Sequence, residues 1–342
     1  MQWRRAVAGL VVAVGVVGLF VYGVGWDEVV ENVRAAHPAA LAAAAVAGIG
    51  MLALRGLLVK RLLTPVEGAA GGTGFATAYL TGYFARSALP WGRSTGTPVM
   101  AYLLASNSDS EFEDNLAVVA AAEGFNLVGS LAVAVLGIAV YATAAGGSLD
   151  TLSTGIAVAG GGGLLAAGVV LVVFNRGVAR TASYEFAVRC ETAVGTLPWL
   201  SRAEGVVTDR IDGFFDTLGA IQASRETLVA AFGIAVASWV FNAIPLYLGL
   251  LALGVDVPLA LVFVCAPLAS FGGIVPLPGG SGGIEVVLAS LLVATAGVPA
   301  DVGTAGAILY RLSTYWLHFA IGGCVAVLVS LFGTTLDGIT ER

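Results

Sequence analysis

The chain has 342 residues, 58% hydrophobic and 11% charged, with a formal net charge of −6 and a mean hydropathy of +0.92. No soluble domain of that size needs so much apolar surface, so the expected class is an all-α, polytopic helical membrane protein. The longest polar stretch, about 50 residues between Phe174 and Leu228, is too short for a separate catalytic domain, and the acidic balance suggests no nucleic-acid partner.

Residues 6–24 follow Arg4 and Arg5 and are apolar over 19 positions. That is longer than the apolar core of a signal peptide, so a retained span is expected. Further full spans are expected at 39–58, 115–144, 153–174, 228–253 and 304–332, six in all with the first. Between them lie two interrupted apolar segments, 75–105 and 258–297. Loop cations set the orientation. Arg4 and Arg5 place the N-terminus inside; 25–38 carries only Arg34 and lies outside, with Trp26 at the headgroups; Lys60 and Arg61 are inside. The 175–227 loop holds Arg176, Arg180, Arg189, Arg202, Arg210 and Arg225, and is expected in the cytoplasm too. Within it Val206, Val207, Ile211, Phe214, Phe215, Leu218 and Ile221 recur at helical spacing, as in an amphipathic helix that buttresses the bundle or senses lipid. Both termini then lie in the cytoplasm, with the protein in the plasma membrane.

The two interrupted segments share a pattern. Leu89-Pro90-Trp91-Gly92 returns as Leu277-Pro278-Gly279-Gly280, and 75–105 agrees with 263–293 at ten of 31 positions without a gap. By the loop counting, the first segment begins and ends inside and the second begins and ends outside. The second arm of the first, roughly 97–105, is about 14 Å of helix against a core of about 30 Å, so a re-entrant hairpin is expected there. The arms of 258–297 are long enough to leave a pair of true spans open. One transmembrane domain, 1–342, with inverted halves at 39–144 and 228–332, accounts for this pattern; two unrelated hairpins are the alternative.

Charges inside such a bundle are costly and need a partner or a wet cavity. Glu123, Glu285, Arg311 and Arg93 stand out. Glu123 follows Pro90 at the same remove as Arg311 follows Pro278, and Thr97 and Glu285 share the seventh position after each proline. One reading places Arg93 and Arg311 in a polar cavity on a lipid phosphate, with Glu123, Glu285 and Thr97 around it. Backbone N–H groups at the helix starts 97–99 and 283–286 would add anion capacity. The other reading is structural: Glu123 and Arg311 form a buried pair, and Glu285 caps its own helix. Arg86 is read at the hairpin mouth and Arg55 as snorkelling to the inner interface. Gly92, Gly279, Gly280, Gly282 and Gly283 mark broken helix, whose unpaired backbone is tolerable only under protein or water. Cys190, Cys265 and Cys324 have no pairing or metal-ligand spacing, and no cofactor or metal is expected.

Val275-Pro276-Leu277-Pro278-Gly279-Gly280-Ser281-Gly282-Gly283-Ile284-Glu285 resembles the Pro-x-Pro-Gly-Gly-x-Gly-x-Arg-Glu signature of the lysylphosphatidylglycerol synthase/flippase transmembrane-region family. Ala307-Ile308-Leu309-Tyr310-Arg311 resembles its Leu-Tyr-Arg segment, 89–99 its Pro-x-Arg-x-Gly-Glu element, and Ala122-Glu123-Gly124-Phe125-Asn126 its Glu-Arg-x-x-Asp element. Ile284, Thr97, Gly124 and Asn126 depart from that pattern and leave fewer charges, which argues against an aminoacyl-lipid headgroup. The resemblance implies a transporter rather than an enzyme: a translocase for a phospholipid or a polyprenyl-phosphate-linked lipid, found alone or fused to a lipid synthase or glycosyltransferase. A membrane partner of such an enzyme is the alternative, and a homo-oligomer is compatible with either. A third reading takes Gly279-Gly280-Ser281-Gly282 and His318 as the nucleophile and base of an intramembrane serine protease.

Overall fold

A computed structural model describes residues 26–89, 92–144, 206–274 and 277–336, which form helices and connecting turns with no strand among them. The expected spans 6–24 and 153–174, most of the 175–227 loop, and Pro90 lie outside the described residues. Trp26–Ala35 forms a short helix, α1, where a loop is expected. It packs on a later helix through Val29 against Ala305, and Asn32 Nδ2 donates to Asp301 Oδ2 at 2.9 Å.

The first half then runs α2 (Pro38–Leu62), α3 (Gly72–Ala88), α4 (Gly92–Ala105) and α5 (Phe112–Ala144). A connecting helix, α6 (Val206–Ala223), leads into α7 (Arg225–Ala252) and α8 (Leu259–Ala269), which tightens into a 3-10 turn at Ser270–Ile274. After a second 3-10 turn at Pro278–Gly280 come α9 (Gly283–Ala296), α10 (Ala300–Arg311), a π turn at Leu312–Trp316 and α11 (Leu317–Leu336). Element starts correspond between the halves: Pro38 of α2 with Arg225 of α7, Gly72 of α3 with Leu259 of α8, and Phe112 of α5 with Ala300 of α10. All three follow, almost to the position, the offset that carries Pro90 onto Pro278. Among the described residues five helical stretches are long and apolar enough to cross a membrane: 38–62, 112–143, 225–252, 278–296 and 300–331. Four of these are expected spans, slightly extended.

Local sequence explains the boundaries. Pro38 occupies the first turn of α2, where its missing N–H costs nothing, and Lys60 and Arg61 face the negative end of the helix dipole. Ser224 caps α7 by accepting from Thr227 N at 3.2 Å. α4 begins at Gly92 and carries Pro98 inside it, so it starts earlier than the 97–105 arm expected from sequence. N–H groups at 97–99 are therefore interior to a helix and do not form a helix start. At 14 residues, α4 and α9 are each about 21 Å long, short of a core of about 30 Å. The 3-10 turn before α9 lengthens that apolar stretch to 19 residues.

α2 and α7 lie antiparallel along their length. His37 N donates to Ala252 O at 2.8 Å at one end, and Arg61 pairs with Glu226 at 2.6 Å at the other. The α3–α4 hairpin leaves the end of α2, and the α8–α9 hairpin leaves the end of α7. Their open ends therefore face opposite ends of the bundle and their tips point toward its middle. Cross-packing is reciprocal: α5 rests on α8, and α11 rests on α3. Small residues allow both approaches, Gly137 lying against the Ala260 carbonyl and Phe263, and Gly322 against the Leu80 carbonyl and Phe84. α6 packs against the start of α5 and against α7. It buries Phe215, Leu218 and Ile221 in the core, and Arg210 pairs with Glu113 at 2.6 Å.

Candidate functional site

Residues flanking the two hairpin tips, among them Ser87, Gly92, Leu277 and Gly280, line a hollow of about 410 Å³. Its walls repeat across the halves. Met51 and Trp239, Tyr83 and Phe271, and Gly92 and Gly280 all line it, and the offset that carries Pro90 onto Pro278 carries the first of each pair onto the second. The cavity thus sits where equivalent parts of the two halves face each other.

Three arginines, Arg55, Arg86 and Arg311, line the hollow, and no carboxylate does among the described residues. Arg311 ends α10 and is almost wholly buried. Its Nε donates to Glu285 Oε1 at 2.9 Å, and one terminal nitrogen donates to the Gly279 carbonyl at 2.8 Å. The guanidinium also stacks 4.2 Å from the Tyr315 ring centre. One arginine thereby holds the second hairpin tip to the following span. Glu285 does two things at once, since its Oε2 accepts from Gly282 N at 2.7 Å and closes the start of α9. The glycines permit this fold of the tip. Gly279, Gly280 and Gly282 have φ of +61°, +66° and +85°, a region closed to most side chains, and a Cβ at Gly279 would collide with Tyr315. Pro278 is buried. Gly283 opens α9, and its carbonyl packs against Gly272.

The first hairpin is tied differently. Arg86, on α3, donates to Glu123 on α5, and its guanidinium lies over Tyr83, 5.9 Å from the ring centre. Gly92 packs so closely on the Arg86 carbonyl that a Cβ there would overlap it. Arg93 lies in the first turn of α4, beside Gly92, with its side chain outside the described residues. Thr97 is half-buried and does not line the hollow.

The Glu123–Arg311 pair of the alternative, structural reading is not formed. Each hairpin packs against its own following span, so each charge on that span meets a partner from its own half: Glu123 finds Arg86, and Arg311 finds Glu285. Arg86 is therefore a site residue, not a mouth residue. Nor does Arg55 snorkel to an interface. It donates to the Tyr83 hydroxyl at 3.3 Å, lies 5.6 Å from the Trp239 ring centre, and has no carboxylate partner among the described residues. Arg55 and Arg86 also line a second, smaller hollow of about 20 Å³ with Glu123 and Asn126, room for about one water.

The π turn is a further feature that apolar periodicity does not reveal. Leu317 N donates to Leu312 O, widening the helix where Thr314 and Tyr315 face the cavity. Tyr315 then reaches across to the first hairpin and donates to the Ser87 carbonyl at 3.0 Å. The equivalent part of α5 is ordinary α-helix. His318, one turn on, bonds through Nε2 to the Gly48 carbonyl at 2.7 Å, and Ser281 donates to the Pro278 carbonyl at 2.8 Å. Ser281 Oγ also lies 3.5 Å from an Arg311 nitrogen, and among the described residues no Ser281–His318 hydrogen bond is formed, so the two are not paired as nucleophile and base.

An all-helical membrane bundle with an arginine-lined hollow between two broken hairpins defines an integral membrane protein with an internal polar site. The chain belongs to the lysylphosphatidylglycerol synthase TM region family, whose profile matches residues 6–322. It is similar to a UPF0104 membrane protein of Methanothermobacter thermautotrophicus, 26% identical over 346 residues and 96% of each chain. It is also similar to the glycosyltransferase AglD of Haloferax volcanii, 28% identical over 328 residues. That match takes in 89% of this chain but 51% of the glycosyltransferase, so the chain spans about half the length of that relative.

Proposed function

We propose that this protein is a translocase that moves an anionic lipid, a phospholipid or a polyprenyl-phosphate-linked lipid, between the leaflets of the plasma membrane. The observation that carries the reading is the cationic hollow of about 410 Å³ between two hairpins whose bases face opposite ends of the bundle. A headgroup would enter beside one tip, shed water onto the arginines, and leave beside the other, while its tails stay in lipid. The halves 39–144 and 228–332 act as inverted repeats, and alternating exposure follows from rocking one hairpin at a time. Arg86–Glu123 and Arg311–Glu285 are the two latches, each joining a hairpin to its next span. Both termini lie in the cytoplasm in this reading, and the movement is passive or ion-coupled.

Purified protein reconstituted into liposomes tests this directly. Headgroup-labelled anionic lipid is expected to cross leaflets faster than in empty vesicles; equal rates would end the translocase reading. The likeness to the glycosyltransferase AglD supports a second reading, in which the chain is the membrane partner of a lipid-modifying glycosyltransferase. Co-purification with such an enzyme, without lipid movement, would favour it.

A further inference from the structure

Of the three cationic side chains that line the hollow among the described residues, two are already balanced. Glu123 and Glu285 neutralise Arg86 and Arg311 without themselves lining the cavity. Among the described residues Arg55 has only neutral partners, a long hydrogen bond to the Tyr83 hydroxyl and the face of Trp239. Its Nε is buried with no acceptor among the described residues, a donor that costs free energy while it stays unsatisfied. The remaining polar groups are neutral. Asn242 lines the hollow; its oxygen is occupied by the Tyr310 hydroxyl, and its amide nitrogen has no partner among the described residues.

From this arrangement we infer that Arg55 is the phosphate anchor, and that the site takes a lipid with one phosphodiester and an uncharged, hydroxyl-bearing headgroup. The charge balance selects for this class. A single phosphodiester carries one negative charge, matching the one cavity-lining arginine without a carboxylate among the described residues. An aminoacylated head would bring ammonium groups into a hollow with no carboxylate facing it, where like charge in low dielectric repels. A pyrophosphate would bring more negative charge than one unbalanced cation offsets. Hydroxyls of a glycerol or sugar head would find the Asn242 amide and the faces of Tyr83 and Trp239. The inference rests on the translocase reading for its biological sense, but the binding chemistry can be tested apart from transport.

The experiment uses the full-length chain, wild type, Arg55→Gln and Arg55→Lys, in two formats. The first is transport in liposomes of four fluorescent short-chain probes: phosphatidylglycerol, a polyprenyl-phosphate-linked hexose, lysyl-phosphatidylglycerol and a polyprenyl pyrophosphate. The second is equilibrium binding of the same probes in detergent, with thermal unfolding confirming that each variant is folded. Expected is preference for one or both of the first two probes, which also separates the glycerol from the sugar source. Arg55→Gln should weaken binding and transport of the preferred probe by about tenfold or more, the loss of a charge-assisted hydrogen bond, with partial rescue by Arg55→Lys. Two results would overturn the inference while leaving the translocase standing: unchanged transport in Arg55→Gln, or preference for the lysylated or pyrophosphate probe. If no probe is moved, the translocase reading falls. Arg55-dependent binding of a phosphodiester probe would then still uphold the assignment of the site, and absence of such binding would overturn it.

Discussion

Glu285 closes the start of α9 with one oxygen and neutralises Arg311 with the other. The pair is buried on both sides, with 8% of the Arg311 and 4% of the Glu285 side chain exposed, so its worth lies in not being half-removed. Glu285→Gln keeps an acceptor for Gly282 N but leaves a buried guanidinium unbalanced, a loss of about 3–5 kcal/mol. Thermal unfolding in detergent should fall sharply for Glu285→Gln and largely recover in Glu285→Gln/Arg311→Met, which removes the stranded charge; equal instability of both would show that the pair is not the cause. Tyr315→Phe is a milder change. It deletes the hydrogen bond from the π turn to the Ser87 carbonyl while keeping the ring over Arg311. A loss of about 1 kcal/mol is expected, measured by the same unfolding assay.

Among the helices, the halves differ in one respect that matters. α5 runs as continuous helix past Glu123, whereas the equivalent stretch after Arg311 widens into a π turn. That turn lets Arg311, Thr314 and Tyr315 line the same cavity while His318 still meets Gly48. Deleting Leu312, whose side chain is exposed, would restore ordinary helix and rotate α11 by about 100° relative to α10. Helical content by circular dichroism should persist and lipid movement should be lost. Retained transport would mean that the π turn does not shape the site. α2 presses on the same turn: a Cβ at Gly48 would overlap the Ser313 carbonyl. Gly48→Ala should therefore lower the unfolding temperature, and an unchanged value would show that α2 can retreat.

Across the bundle, the antiparallel α2–α7 pair sets the arrangement. It sends the base of one hairpin to each end, so in a membrane the two bases should lie on opposite faces. Asp109, beside the first base, and Asp256, beside the second, are both exposed. In a background with Cys190, Cys265 and Cys324 replaced, Asp109→Cys is expected to be shielded from an impermeant thiol reagent added outside intact cells. Asp256→Cys should be labelled. Labelling of both from one side would overturn the inverted arrangement and the route proposed for the headgroup.

Much of this was legible in one dimension because its causes are local. Apolar length marks the spans, Pro and Gly break the helix at 89–92 and 277–283, and a single offset aligns the two breaks. Arg55 was not legible: it lies near the end of the expected span 39–58 with Lys60 and Arg61 just beyond, which reads as snorkelling, and only packing shows it lining the hollow. Which charge meets which was settled by packing alone. Arg86 reaches Glu123 across 37 residues, and Glu285 reaches Arg311 across 26, because each hairpin folds back on the span that follows it. The π turn was equally hidden, since its wider hydrogen bonding is held by contacts with Ser87 and Gly48 on other helices. Hydropathy and breaking residues act on the nearest few positions and can be read in order. Ion pairing inside a membrane bundle depends on side-chain distances between helices, and those exist only once the helices have packed.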